Sequence, residues 1–409
     1  MSDYTTDGKG RNTMVKKLQP KLRFRGFTDA WEPRRLGEIC SFKKGRGYSK
    51  KDTCDSGTPL LLYGQMYTNY ATAVTSADAY TTPHPHSVYS TGKEVIVPSS
   101  GETQEDIAVA SAVLEPGIIY GGDINILTPP DYLNPVFLAL TISGGPAHRR
   151  LAERAQGKTI VHLRNLDIAQ VDIALPEESE QVRIAELFMG LDNLIDAEKR
   201  KLDLLKKKKT TLLLQVFDQK LRFKRYNAPW KQRHLGVLLE ETNEVASDRE
   251  ILSVTVSNGI YPARDGAKDS NPGESIHKYK VVHINDIVYN SMRLWQGAIG
   301  ISGYEGIVSP AYTVCHVREV VDARFCAYLL RNYPALREFY RYSQGNSKDT
   351  LILKYPEFSQ IIVTIPTSFS EQEDIANTLD CLNQLIAAET RKIDMLRLKK
   401  KALLQQMFV

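Results

Sequence analysis

From Phe188 onward, hydrophobic residues return at alternating steps of three and four: Phe188, Leu191, Ile195, Leu202, Leu205, Leu212 and Val216, with Glu198 and Lys209 in the same series. This is the a/d seam of a coiled coil, narrower than the apolar face of a helix in a globular core, and it predicts a long helix built to pair. The same steps recur at Leu379, Leu382, Ile386, Glu389, Ile393, Leu396, Lys400, Leu403 and Met407. Each seam carries one Glu and one Lys at matching places, so the two helices are expected to pair with each other. Such helices run about 55 to 60 Å, the length of a spacer. An antiparallel register is expected to set Glu198 beside Lys400 and Lys209 beside Glu389, placing opposite charges in shared layers. Ser179 and Ser370, just ahead of the periodicity and followed by acidic residues, are the expected N-caps.

Elsewhere the pattern is of β type. Short apolar runs such as "TPLLLYG", "EVIVPSS", "GIIYGGDINILTP", "YKVVHINDIVYNS" and "AYTVCHV" are bounded by Gly, Pro, Asn or Ser, as strands and hairpins are. Helical stretches follow them, "NPVFLALTISGGPAHRRLAERA" and "DARFCAYLLRNYPALREFYRYSQ". The first nineteen residues are polar and without period, and read as a flexible N-terminal arm.

The chain also repeats itself. "KLRFRGFTDAWEPRRLG" (Lys21 to Gly37) returns as "KLRFKRYNAPWKQRHLG" (Lys220 to Gly236), with Trp31 matching Trp230. "SEQVRIAELFMGLDNLIDAEKRK" from Ser179 returns as "SEQEDIANTLDCLNQLIAAETRK" from Ser370, at an offset of 191 residues. Between these matched ends, Glu38 to Ile173 and Val237 to Thr364 show little similarity to each other. A repeated frame enclosing two divergent inserts predicts an α/β (α+β) protein with two domains in a pseudo-twofold arrangement about an antiparallel two-helix coiled coil. The expected boundaries are the arm at 1–19, a first domain at 20–178, a central helix at 179–218, a second domain at 219–369 and a C-terminal helix at 370–409. Trp31 and Trp230 are expected to be packing anchors at the domain bases.

Composition narrows the chemistry. With 409 residues, 42% hydrophobic and 25% charged, the chain is too long for one ordinary core and too apolar to be disordered. Five cysteines without a CxxC pair, and no apolar N-terminal stretch, point to a reducing cytoplasm. A net charge of +5 is compatible with an anionic partner. The basic run "AEKRKLDLLKKKK" (197–209) is expected to lie mostly on the solvated face of its helix. No catalytic constellation stands out. "AERAQGKTI" has Ala152 where a phosphate-binding loop needs its first glycine, "TPPDY" lacks the Asn-Pro-Pro-aromatic order of amino-methyltransferases, and His84 and His86 have no further metal ligands nearby. The expectation is a chain with no enzymatic activity and no metal of its own.

The tandem frame, the "SEQ" entry into each long helix, the tryptophans before Leu-Gly, and the phrases "VPSSGETQEDIA" and "VYNSMRLWQGAIGISGYEGIVSPAY" resemble the specificity subunit of Type I restriction-modification systems. The resemblance runs from about Lys21 to Val409. It implies that each insert is a target-recognition domain reading one half of a split double-stranded DNA sequence, and that the paired helices hold the two at a fixed separation. It further implies docking of two modification (methyltransferase) subunits and association with restriction/translocase subunits. S-adenosylmethionine, ATP and Mg2+ would then sit on those partners, with no cofactor in this chain. The rival readings are a coiled-coil scaffold, a methylation-only or orphan specificity subunit without restriction, and a nuclease or toxin.

If the inserts read DNA, the chosen readers are polar side chains on glycine-punctuated loops, because Arg pairs bidentately with guanine and Asn or Gln with adenine. In the first insert these are Arg46, Tyr48, Lys50, Lys51, Gln65, Ser99, Ser100 and Thr103. In the second they are Asn290, Arg293, Trp295, Gln296, Gln344, Asn346 and Lys348. Arg149, Arg150 and Lys158 are expected to contact phosphates.

Overall fold

The computed structural model describes residues 4–6, 12–14, 18–68, 70–157, 159–266, 273–347 and 350–409. It divides into two units, one formed by 1–200 with 390–409, the other by 201–389. Each long helix contributes to both. The central helix runs Glu178–Phe217 and the C-terminal helix Phe369–Met407. No helix among the described residues is long and apolar enough to cross a membrane.

In the first unit a five-stranded sheet runs in the order Ser41–Lys44, Ile124–Thr128, Glu94–Pro98, Ser111–Val113, Ala73–Val74. The Glu94–Pro98 strand is central and buried throughout, which its unbroken "EVIVP" run anticipates. A second sheet pairs Ala79–Thr81, Thr58–Leu61, Pro116–Tyr120 and Tyr89–Thr91. The helix Pro135–Ser143 lies in the core, capped by Asn134, whose Oδ1 accepts from the N–H groups of Val136 and Phe137, with proline at its first turn. The core gathers Trp31, Phe137, Leu140, Phe188 and Phe408.

The second unit repeats this plan. Its sheet runs Leu239–Thr242, Tyr312–Val317, Ile287–Asn290, Ile299–Ile301, strand for strand the order of the first four above. The helix Ala323–Leu330 is capped by Asp322 as its counterpart is by Asn134. Two inserts with little detectable sequence similarity therefore share a topology, because alternation of buried aliphatic residues satisfies one sheet order with many sequences. Its core gathers Trp230, Tyr289, Phe325, Phe339, Phe358 and Leu379.

Three sequence-based expectations change. Each predicted helical stretch divides in two. The first breaks at Gly144 and Gly145, the latter at φ +59°, ahead of Gly145–Ala152; the second restarts at Asn332, whose side chain caps Tyr333–Tyr342. The long helices begin earlier than the serine caps would have them, so Ser179 and Ser370 lie inside the first turn. In the C-terminal helix Ser368 takes the cap, its Oγ accepting from the Glu371 N–H at 3.4 Å, and Ser179 Oγ donates to Glu177. In the N-terminal segment, Tyr4–Thr6 and Asn12–Met14 pair as an antiparallel ladder that the aperiodic sequence did not announce.

Candidate nucleic-acid interface

The frame that carries the loops is held by a latch written twice. In the first unit Arg23 grips both carboxylate oxygens of Glu180, through Nε and Nη2, each at 2.7 Å, and the Trp31 indole N–H donates to the same carboxylate at 3.2 Å. In the second, Arg222 and Trp230 do the same to Glu371. Both carboxylates are buried, as an ion can be when fully hydrogen-bonded. The Arg23 and Arg222 guanidinium groups are held above their ordinary pKa, chiefly by these hydrogen bonds. The next residue along ties the insert to the frame. Gln181 donates to the Pro176 carbonyl and accepts from the Asn134 N–H; Gln372 donates to the Pro366 carbonyl and accepts from the Asp322 N–H. The repeated "SEQ" is thus structural. Trp31 and Trp230 pack edge-on against Phe137 and Phe325, as anchors would.

Within each unit the long helices pair antiparallel along the expected seam, but one heptad away from the expected register. Lys400 bonds Asp192 at 2.5 Å and Thr72 Oγ1 at 3.0 Å, rather than Glu198. Glu198 pairs with Lys392, and Glu389 with Lys201 at 2.6 Å rather than with Lys209. In this register Lys392 and Lys201 flank the seam and remain about half exposed, so each seam glutamate reaches outward to a hydrated partner instead of facing a lysine across the core. Lys209 is left half-buried, and burial, with Arg331 adding to it, lowers its pKa.

The sequence-chosen readers separate into exposed and committed groups. Arg46, Lys50 and Lys51 are exposed on the loop after Ser41–Lys44, and the last two lie in a short 3-10 turn capped by Ser49. Tyr48 on that loop is buried. Its ring stacks on His84 at 4.4 Å and its hydroxyl is engaged with Ser87 Oγ at 2.6 Å, so it braces the loop. Ser99 is buried and bonded to Asp123, Thr103 caps Gln104–Ile107, Gln65 accepts from the Leu62 N–H, and Ser100 Oγ meets His162 Nδ1. In the second unit Arg293 is exposed and donates to Gln296, while Asn290 accepts from the Met292 N–H. Trp295 stacks edge-on against Tyr340, and its indole N–H is buried with no hydrogen-bond partner among the described residues. Gln344 reaches Glu357, and Asn346 is exposed. Arg149 and Arg150 are exposed on the helix Gly145–Ala152 and line a groove of about 970 Å³ with Lys21, Lys401, Leu404 and Phe408. Lys158 and Lys348 lie outside the described residues.

The backbone shows which positions correspond. The Leu163 N–H donates to the Ser99 carbonyl, as the Leu353 N–H does to the Ser291 carbonyl. Ahead of each leucine, a Gln-Gly loop closes on itself through an antiparallel bridge, Gln156 to His162 and Gln344 to Ile352. Arg164 and Lys354 follow, both exposed. The sequence reading passed over Gln156, Arg164 and Lys354. The shared "QG" at 156–157 and 344–345 was the available signal, but the following loops differ in length and hide it.

This is a duplicated α/β module on a helical frame. Residues 28–207 match the Type I restriction modification DNA specificity domain. The Type I restriction enzyme MjaVIII specificity subunit of Methanocaldococcus jannaschii is 22% identical over 237 residues, which cover 54% of this chain and 55% of that protein. The match therefore spans about half the length of that relative. Among solved structures, the S subunit of a Type I restriction-modification system from M. genitalium superposes with a TM-score of 0.60 at 14% identity, over 96% of this chain and 99% of its own. A chain from a study of complex assembly and conformational transition of the type I R-M system gives 0.55 at 15% identity, over 92% and 97%. Over residues 28–207 the chain is thus similar to that DNA specificity domain, and over nearly its whole length it shares the fold of the solved S subunit.

Proposed function

We propose that this chain is the DNA-reading subunit of a Type I restriction-modification assembly, each unit reading one half of a bipartite double-stranded site. The observation that carries the reading is the contrast between a frame built twice from the same latch residues and two inserts of one topology whose exposed loops differ. A constant frame suits a constant partner, and different loops suit different half-sites. The partners are two modification subunits docked on the long helices, with restriction/translocase subunits joining the complex. The paired helices set the spacer, since half-sites read by linked modules fall at separations fixed by protein geometry. The chain itself is non-catalytic in this reading. Methyl transfer with S-adenosylmethionine, and cleavage with ATP and Mg2+, belong to the partners, in the cytoplasm.

The test is co-expression with a modification subunit, followed by mapping of methylated positions in host DNA. A bipartite motif with a fixed spacer, altered in one half only when 237–364 is exchanged for another insert, is the expected result. A stable complex that methylates no motif would leave a scaffold.

A further inference from the structure

Two copies of one module in a single chain allow a comparison without any relative. The modules are fixed to each other, position by position, by the bonds Leu163 to Ser99 and Leu353 to Ser291. On one side of that junction the two copies differ completely. Ser99 is followed by Ser100, Gly101, Glu102 and Thr103, leading into the helix Gln104–Ile107. Ser291 is followed by Met292 and by Arg293, which is exposed, leading into the 3-10 turn Leu294–Gln296.

On the other side the copies agree. Gln156 and His162 exchange backbone hydrogen bonds of 3.1 and 2.8 Å; Gln344 and Ile352 exchange two of 2.9 Å. Gly157 and Gly345 follow the glutamines at φ +146° and +152°, and a Cβ on either would fall within 1.9 or 2.5 Å of a backbone carbonyl oxygen across the loop. Only glycine fits there, in both copies. One residue past the junction leucine comes an exposed cation, Arg164 or Lys354, just before a short helix, Asn165–Ala169 or Tyr355–Ser359. Neither cation has an ion pair among the described residues.

If each module faces a different half-site, a backbone arrangement and a cation common to both serve poorly to distinguish them. What the two half-sites share is the sugar-phosphate backbone, and an exposed cation beside a bridged stretch of backbone is suited to it. We propose, resting on the function above, that the described residues of these loops, 156–157 with 159–162 and 344–347 with 350–352, together with Arg164 and Lys354, form the sequence-independent part of the interface and bind DNA phosphate. Half-site sequence is then read by the dissimilar turns 100–103 and 292–296. This moves Gln344 and Asn346 from base reading to backbone contact.

The test uses the full chain in complex with a modification subunit, with Arg164→Gln and Lys354→Gln made singly, and Arg293→Ala as contrast. Binding to a duplex carrying the methylated motif, and to an unrelated duplex, is measured from 50 to 200 mM salt. Each glutamine variant should flatten the log–log salt slope by about 0.9, so that its affinity falls about 3.5-fold less across that range, with both duplexes affected alike. The mapped motif should stay unchanged. Arg293→Ala should relax the motif in one half only. Unchanged salt slopes, a relaxed motif in either glutamine variant, or a sharp motif in Arg293→Ala overturns the division. A wild-type complex whose DNA binding ignores salt removes the proposed function along with it; a salt-sensitive wild type matched by its glutamine variants removes the loop assignment alone.

Discussion

Arg23→Ala strikes the latch where its energy is concentrated. Glu180 has no exposed side-chain surface, and Arg23 supplies two of its three hydrogen bonds. Deleting the guanidinium leaves a buried carboxylate held by the Trp31 N–H alone, and breaking a buried pair in this way costs about 3 to 5 kcal/mol. The surviving tryptophan bond argues for the lower end. For a unit of this size each kcal/mol moves the melting temperature by about 2 to 4 °C, so a fall of roughly 6 to 12 °C is expected. Arg222→Ala should act alike through Glu371. The control is Arg225→Ala, which removes an exposed partner of Asp374 and should leave the melting temperature unchanged. The assay is thermal unfolding of the full chain followed by far-UV circular dichroism, extended to the Glu180→Gln and double variants as a cycle. If Arg23→Ala shifts the midpoint no more than Arg225→Ala does, the latch is not a principal support of the frame.

Other outcomes follow from local chemistry. Asp192→Asn should cost about 2 kcal/mol in chemical denaturation, since Lys400, only 15% exposed, loses its charged partner and keeps Thr72; an unmoved midpoint would place Lys400 in water. A maleimide added to native protein should label two of the five thiols, Cys54 and Cys381, because Cys315 is buried with its pKa pushed well up, and burial raises Cys40 and Cys326 to about 12; a third fast label would contradict this. Hydrogen bonds donated to Glu244 and then Glu305 hold the His283 pKa above 6.5. The raised value means His283 stabilises the fold fully below 6.5 and loses that contribution as pH climbs through the folded pKa. An NMR titration placing His283 at or below 6.5 would refute it.

Periodicity revealed the long helices because a seam depends only on spacing, and the repeat revealed the frame because latch residues tolerate little change. The register was not legible. Opposite charges at Glu198 and Lys400 suggested face-to-face pairing, but the decisive partners, Lys392, Lys201 and Asp192, lie beside the seam, where a pattern of buried positions does not look. The burial of Tyr48 and Ser99 was not legible for a related reason. Composition marks both as polar, and only the fold shows that Ser87 and Asp123 already satisfy them. The kinship of the inserts escaped notice because it resides in strand order and in backbone bonds such as Leu163 to Ser99, which leave few side-chain traces.

The charged pairs beside the seam bear on how such a chain can lengthen. Glu389 and Lys392 are the repeat images of Glu198 and Lys201, so Glu198–Lys392 and Lys201–Glu389 are one contact occurring twice, like a line that reads the same in both directions. Seven residues added to the central helix alone would extend one rod by roughly 10.5 Å and leave the other as it was. One member of the pair of contacts would have to come apart. The same heptad added at matching places in both helices preserves every pairing.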